Sequence, residues 1–311
     1  MSAIIKVNNL SKQYREVKAV NDISFTVNTG DIYGFLGQNG AGKSTTIRML
    51  LTLIEPTSGT IELFGKNLYS HRKAVLQQIG AVIEKPDLYK YLTAYENLSL
   101  FAKMSGVSVR EKKLMDQFEQ VGLTERAHSK VRTFSQGMKQ RLGIAIALIH
   151  DPQLIILDEP TNGLDPQGIA DIRNLILHLS RHQGKTIVVS SHLLHEIELI
   201  ANRMLIIDKG KKIMEGTVAE LVDPARTMVH IEVTNPQEVM TWLQSSKWSS
   251  NVKERHNNII LLQMNKPQVP ELTADLVKAG AHIMALQPQN SLESYFLSLT
   301  TENRHVDTFT N

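Results

Sequence analysis

The octapeptide GQNGAGKS, Gly37 to Ser44, sets three glycines, a lysine and a hydroxyl in the pattern G-x-x-x-x-G-K-[ST]. Glycines at these spacings let successive backbone N–H groups wrap around phosphate oxygens. Lys43 can then reach the terminal phosphates, and the Ser44 hydroxyl can coordinate Mg²⁺. A turn with an incidental lysine would need no particular neighbours. Here a short apolar strand, Asp31 to Leu36, leads in, and a helical pattern, Thr45 to Leu53, leads out. Strand, glycine turn and helix in that order aim a helix N-terminus at an anion.

The segment LIILDEP, Leu154 to Pro160, runs four apolar residues into two adjacent carboxylates. Carboxylates at the end of a buried strand are costly unless they meet a cation or do work. Asp158 is placed to hold Mg²⁺ and Glu159 to polarise an attacking water. In isolation an Asp-Glu pair could simply cap the next helix. Downstream of a phosphate loop, the chemical role is the better reading.

These residues must be positioned by a large core, and the chain has the means. It comprises 311 residues, 42% of them hydrophobic, with 34 Lys+Arg against 31 Asp+Glu. That length fits two domains, or one α/β domain with an appendage. The absence of cysteine excludes disulfides, thiolate metal sites and a cysteine nucleophile. Met1 to Tyr14 shows no charged-then-apolar leader, and no window approaches the ~20 apolar residues of a membrane span, so a soluble, cytosolic chain is expected. The small net charge argues against nucleic acid as a partner, and Lys209 to Lys212 reads as a solvated hairpin turn.

From Ile4 to Val27 apolar residues alternate, notably Ile23, Phe25 and Val27, which predicts an antiparallel β layer ending in a turn at Asn28-Thr29-Gly30. Leu92 to Gln120 reads as helix-rich, and Leu142 to Ile149 as a further helix. The apolar runs Leu154 to Leu157 and Ile187 to Val189 read as central parallel strands. Their alternation with helices at Ile169 to Leu179 and Leu193 to Ala201 predicts a doubly wound α/β core. After Asp223-Pro224 the pattern changes. Strand Met228 to Val233, helix Pro236 to Leu243, strands Val252 to Arg255 and Ile259 to Met264, helix Leu272 to Ala279 and strand His282 to Leu286 predict a small α+β, ferredoxin-like module closed by a helix at Leu292 to Leu299.

A third motif, Phe134 to Arg141 (FSQGMKQR), opens the Leu142 helix. Taken in order, GQNGAGKS, FSQGMKQR, LIILDEP, Asn162-Gly163-Leu164-Asp165 and Ser190-Ser191-His192 resemble the ATP-binding cassette (ABC) ATPases over about Ile4 to Val222. The resemblance implies an ATP-binding domain over residues 1–222, with a helical subdomain at about 88–150, and an accessory domain over 226–311. It implies that Gly37, Asn39, Gly40, Ala41, Gly42, Lys43, Ser44 and Thr45 hold ATP, that Tyr14 stacks on adenine, and that His192 contacts the γ-phosphate while Glu159 acts as base. Ser135 and Gly137 would complete the site of a second copy in a head-to-tail dimer, with Asp165 in the loop linking the two sites. Ser44 and Asp158 would hold Mg²⁺.

Two positions depart from the family pattern. Glu84, in IGAVIEKP, stands where a glutamine is usual; a carboxylate can still ligate Mg²⁺ but cannot donate a hydrogen bond. Gln136 stands in place of a glycine. Both departures imply slow hydrolysis. Together with GDIYGFLGQNGAGKSTTIRMLL, MKQRLGIAIALIHDP and the terminal Ser291 to Phe296 they resemble the bacitracin-resistance and lantibiotic-immunity branch of ABC exporters. That branch implies an ATPase at the cytoplasmic face of the membrane, driving removal of a peptide antibiotic through separate permease subunits. Leu88, Tyr89, Tyr91 and Tyr95 would then meet the permease. The cassette motifs equally fit an importer; a soluble cassette protein acting on ribosomes or DNA would usually carry a second cassette or basic insertions.

Overall fold

The computed structural model describes residues 2–221 and 227–289. The chain divides into one unit through Thr217 and a second from Val218 onward. In the first unit the alternating N-terminal pattern becomes β1 (Ala3–Tyr14) and β2 (Val17–Asn28), with Ile23, Phe25 and Val27 on the buried face. Next comes β3 (Ile32–Leu36), in which every residue is buried, followed by the glycine loop and α1 (Lys43–Leu50). Strands β4 (Ser58–Leu63) and β5 (Lys66–Asn67) complete an antiparallel sheet ordered β2-β1-β4-β5.

A second sheet adds β6 (Ile79–Ile83), β7 (Leu154–Asp158), β8 (Thr186–Ser191), β9 (Arg203–Asp208) and β10 (Lys211–Thr217), in the order β10-β9-β3-β8-β7-β6. All neighbours pair in parallel except the β9–β10 hairpin. Strands β3, β7 and β8 are buried along their whole length, as largely apolar central parallel strands are, and the burial includes Asp158 of β7 and Thr186, Ser190 and Ser191 of β8. Ile47, Met49 and Leu50 of α1 join residues of both sheets in one core cluster.

The remaining helices of this unit are α2 (Arg72–Leu76), α3 (Ala94–Met104), α4 (Glu111–Gln120), α5 (Gln136–Leu148), α6 (Pro166–Gln183) and α7 (Leu194–Ile200). Several start earlier than apolar spacing alone predicts, and the cause is capping. Ser135 accepts the Met138 N–H, which brings the start of α5 back to Gln136. Asp165 accepts the Gly168 N–H at 2.9 Å, Pro166 takes the first helical position, and Gly184 closes α6 in the left-handed conformation. Thr93 and Glu96 form a reciprocal capping box at α3, where the backbone N–H and hydroxyl of Thr93 hold the Glu96 carboxyl below its ordinary range.

Helix α5 packs unusually close to the core. A Cβ on Gly80 of β6 would run into the Ala147 carbonyl oxygen of α5, and one on Gly143 would meet the Pro86 ring at 2.6 Å. In the second unit α8 (Val218–Leu221) precedes β11 (Thr227–Val233), α9 (Pro236–Ser245), β12 (Val252–His256), β13 (Ile259–Met264), α10 (Val269–Lys278) and β14 (Ile283–Gln289). The antiparallel order β12-β13-β11-β14 is the ferredoxin-like arrangement. Val229, Ile231, Leu243, Trp248, Ile260, Leu262, Leu272 and Leu276 form its core. The helix expected at Leu292 to Leu299, the Ser291 to Phe296 segment and the Asp223-Pro224 junction lie outside the described residues.

Gly80→Ala should lower stability by about 1–3 kcal/mol, because backbone rather than a flexible side chain must give way. A urea midpoint unchanged from the parent would contradict this packing.

Candidate active site

The glycine loop leaves β3 at Gly37 and enters α1 at Lys43. Gly42 sits at φ +108°, and a Cβ there would press on the Ala19 carbonyl at 2.6 Å, so only glycine fits. With Gly42 as its N-cap, α1 has no side chain bonding to its first N–H groups. Those donors and the helix dipole are therefore available to an anion. Gln38, Asn39, Gly40, Gly42, Lys43, Ser44 and Thr45 line a recess of about 170 Å³, and Glu159 closes it.

Lys43 is buried, with its ammonium donating to the carbonyls of Gly37 at 2.7 Å and Gln38 at 3.3 Å. It also pairs with Glu159 Oε1 at 3.0 Å. The other oxygen, Oε2, lies 2.8 Å from His192 Nδ1. One carboxylate, only 14% exposed, thus joins the glycine loop to the end of β8. Glu159 itself stands at φ +50°, a left-handed backbone that costs a non-glycine residue about 1–3 kcal/mol. Its N–H donates to Ser190 Oγ at 2.8 Å, and its carbonyl accepts from Asn162 N–H at 3.1 Å, which hold it there.

Asp158, fully buried at the end of β7, accepts the Ser190 hydroxyl at 2.6 Å through Oδ1. Its Oδ2 is buried and makes no hydrogen bond among the described residues. A buried carboxylate oxygen without a donor fits a cation, so the donor set suits the expected Mg²⁺.

The structure therefore brings Asn39, Gly40, Gly42, Lys43, Ser44, Thr45 and Glu159 together at one recess, with Asp158 and His192 tied to Glu159, while Gly37 holds Lys43 through its carbonyl and neither Gly37 nor Ala41 lines the recess. It places the other expected residues elsewhere. Glu84, at φ +55°, is exposed and ion-paired with Arg48 of α1, Nη2 to Oε1 at 2.5 Å. Tyr14 is 45% exposed near the end of β1, its ring 5.0 Å from the Lys12 ammonium. Ser135 and Asp165 cap α5 and α6, and the nearest atom to a Cβ on Gly137 would be Gly168 Cα at 3.8 Å, so those two helix starts adjoin. None of these five lines the recess.

Two residues contribute in ways that the motifs do not announce. Ser190, within the Ser190-Ser191-His192 motif, bridges both carboxylate residues through its buried hydroxyl near the end of β8. Gly210, in the turn expected to be merely solvated, donates its N–H to the Ala41 carbonyl at 2.9 Å and accepts from Asn21 N–H at 2.8 Å. The turn is a hairpin as expected, with Lys209 and Gly210 both at positive φ, yet it also props the glycine loop.

A phosphate loop, a buried Asp-Glu strand end and a histidine closing the strand between them define a nucleotide-hydrolysing cassette. The sequence pattern of the ABC transporter family matches residues 20–162. Over 301 residues the chain is 42% identical to the bacitracin transport ATP-binding protein BcrA of Bacillus licheniformis, covering 96% of this chain and 98% of that one. It is 44% identical over 212 residues to the lantibiotic transport ATP-binding protein SrtF of Streptococcus pyogenes, covering 68% and 90%. A dimeric post-hydrolysis state of the ATP-binding cassette MJ0796, bound to ADP and Pi, aligns with a TM-score of 0.63 at 25% identity, over 69% of this chain and 98% of that chain. The chain belongs to the ABC transporter family: it is an ATP-binding subunit of such a transporter, and an ATPase.

Ser190→Ala would leave the buried Asp158 Oδ1 and the Glu159 N–H without their shared partner, and should cost about 1–3 kcal/mol. Arg48→Ala breaks an exposed pair and should cost less than about 1 kcal/mol. Chemical denaturation that ranked Arg48 above Ser190 would overturn this assignment of the two contacts.

Proposed function

We propose that this subunit powers the removal of a membrane-active peptide antibiotic, of bacitracin or lantibiotic type, through separate membrane-spanning permease subunits. The observation that carries this reading is the match to a bacitracin transport ATP-binding protein along nearly the whole chain, including the second unit. It sits beside an intact cluster of Lys43, Glu159 and His192. No helix among the described residues is long and apolar enough to cross a membrane. In this reading the subunit works as a peripheral protein on the cytoplasmic face.

In the proposed reaction the N–H groups of the glycine loop and α1 receive the phosphates, with Gly37, Asn39, Gly40, Ala41, Gly42 and Thr45 forming the cradle. Lys43 exchanges Glu159 for phosphate oxygens, which frees a carboxylate to accept a proton. Glu159 takes that proton from water as its oxygen bonds to the γ-phosphorus and the bond to the ADP oxygen breaks. His192 keeps Glu159 oriented and contacts the γ-phosphate. Ser44, Asp158 and Glu84 would hold Mg²⁺, Glu84 after leaving Arg48, and the ion would supply charge that offsets the phosphates. Tyr14 stacks on the adenine.

Ser135, Gly137 and Asp165 serve the second copy's ATP in a head-to-tail dimer. Their adjacent helix starts, away from this chain's own recess, support that division of labour. The dimeric MJ0796 cassette supports it also. For the permease, Tyr89 and Tyr91 are 55% and 84% exposed, while Asn97 pins their segment by bonding to both the N–H and the carbonyl of Tyr89. Tyr95 is less available, since its ring stacks on His128 at 5.4 Å. An exposed, backbone-pinned aromatic pair suits a docking surface.

Glu159→Gln should abolish turnover and let an ATP-bound dimer accumulate, while the parent's ATPase rate rises faster than linearly with protein concentration. A linear rate that survives the substitution would refute composite sites. Ala at both Leu88 and Tyr89 should leave basal ATPase intact and abolish antibiotic resistance in cells bearing the complete transporter; resistance at the parental level would exclude docking there.

A further inference from the structure

Two short turns carry the candidate catalytic pair. Glu159 lies after β7, and His192 lies between β8 and α7. One oxygen of Glu196, on α7, binds both turns. Glu196 Oε2 accepts the Thr161 hydroxyl at 2.6 Å and the Ser191 hydroxyl at 3.1 Å. Thr161 lies two positions after Glu159, and Ser191 immediately precedes His192. Ser191 Oγ in turn accepts the Leu193 N–H at 3.0 Å, so one hydroxyl closes the turn around His192 while pointing its proton at Glu196. The Thr161 carbonyl accepts from Leu164 N–H at 3.1 Å, which carries the same linkage toward Asp165 and the start of α6.

We infer that Glu196 is a positioning residue for ATP hydrolysis: by accepting from Thr161 and Ser191 with one oxygen, it sets the separation and orientation of Glu159 and His192. The inference rests on the reading of those two residues as base and γ-phosphate contact. Its geometric basis is that carboxylate and imidazole meet at 2.8 Å although they belong to different strand ends. Their backbones are tied by Ser190 on one side and by Glu196 on the other. Ser190 holds the Glu159 N–H, whereas Glu196 anchors the turn on its carboxyl side. Among the described residues Glu196 does not line the recess and bonds to Thr161 and Ser191 rather than to the Glu159 or His192 side chains, so its influence passes through the turns.

An acidic residue in the first turn of a helix could instead serve the helix dipole alone. The two roles separate experimentally. A positioning acceptor needs an oxygen at Oε2 but no charge, whereas a dipole partner needs the charge and is indifferent to Thr161.

The test is steady-state ATPase of the full-length chain, at concentrations where the parent's specific rate has reached its plateau, with ATP affinity and melting temperature measured in parallel. Glu196→Ala should lower kcat at least tenfold with KM for ATP within twofold of the parent. Glu196→Gln, which keeps an acceptor oxygen, should restore most of the rate. Thr161→Val should fall similarly, and combining it with Glu196→Ala should lower kcat no further than the worse single variant.

A Glu196→Ala rate within twofold of the parent overturns the inference. So does a Gln variant as slow as the Ala variant, or strictly multiplicative losses in the double variant. If Glu196→Ala fails to fold, Thr161→Val and Glu196→Gln decide by the same criteria. Glu159→Gln measured alongside distinguishes the two levels. Full activity there removes the reading of the site itself, whereas an inactive Glu159→Gln beside a normal Glu196→Ala removes only the role of Glu196.

Discussion

The structure turns on a single carboxylate shared between an ammonium and an imidazole. Glu159 lies mostly out of water, against a lysine that is 5% exposed, so each charge depends on the other. Removing one partner of such a pair strands the remaining charge, at a cost of about 3–5 kcal/mol. Three chain segments must therefore converge, and the sheet order makes them do so: β8, which leads into His192, runs between β3, which feeds the glycine loop, and β7, which ends at Asp158. All three run parallel, so their carboxyl ends open on one edge, where open α/β sheets place their ligands.

Convergence alone does not hold the geometry, because Glu159 occupies a backbone region that disfavours side chains. Hydrogen bonds over-determine it. Ser190 supplies the central one, taking the Glu159 N–H and giving its own proton to Asp158. A hydroxyl is the one small group that can accept from an amide and donate to a carboxylate at once.

Much of this is legible in the sequence, and the reasons are local. Patterns of glycine, apolar run and carboxylate report on backbone conformation and burial, so GQNGAGKS, LIILDEP and the ferredoxin-like order translate directly into elements. Apolar spacing puts helix starts too late because it marks where a helix meets the core, while Ser135, Asp165 and Gly42 decide where it begins. What spacing does not convey is pairing across long sequence separation. Glu84 next to Arg48, or Gly210 beneath Ala41, depends on which turns the sheet stacks together, and no periodicity encodes that.

The close approach at Gly143 has a mechanical meaning. Pro86, in the segment just after Glu84, rests on the backbone of α5 with no side chain between them to compress. About one turn further on, Gly80 of β6 seats the last turn of the same helix at Ala147. The loop and α5 therefore have no room to approach each other further. The first residue of that helix follows the Ser135 cap, so the Pro86 segment and the Ser135 turn are joined through one continuous helix backbone.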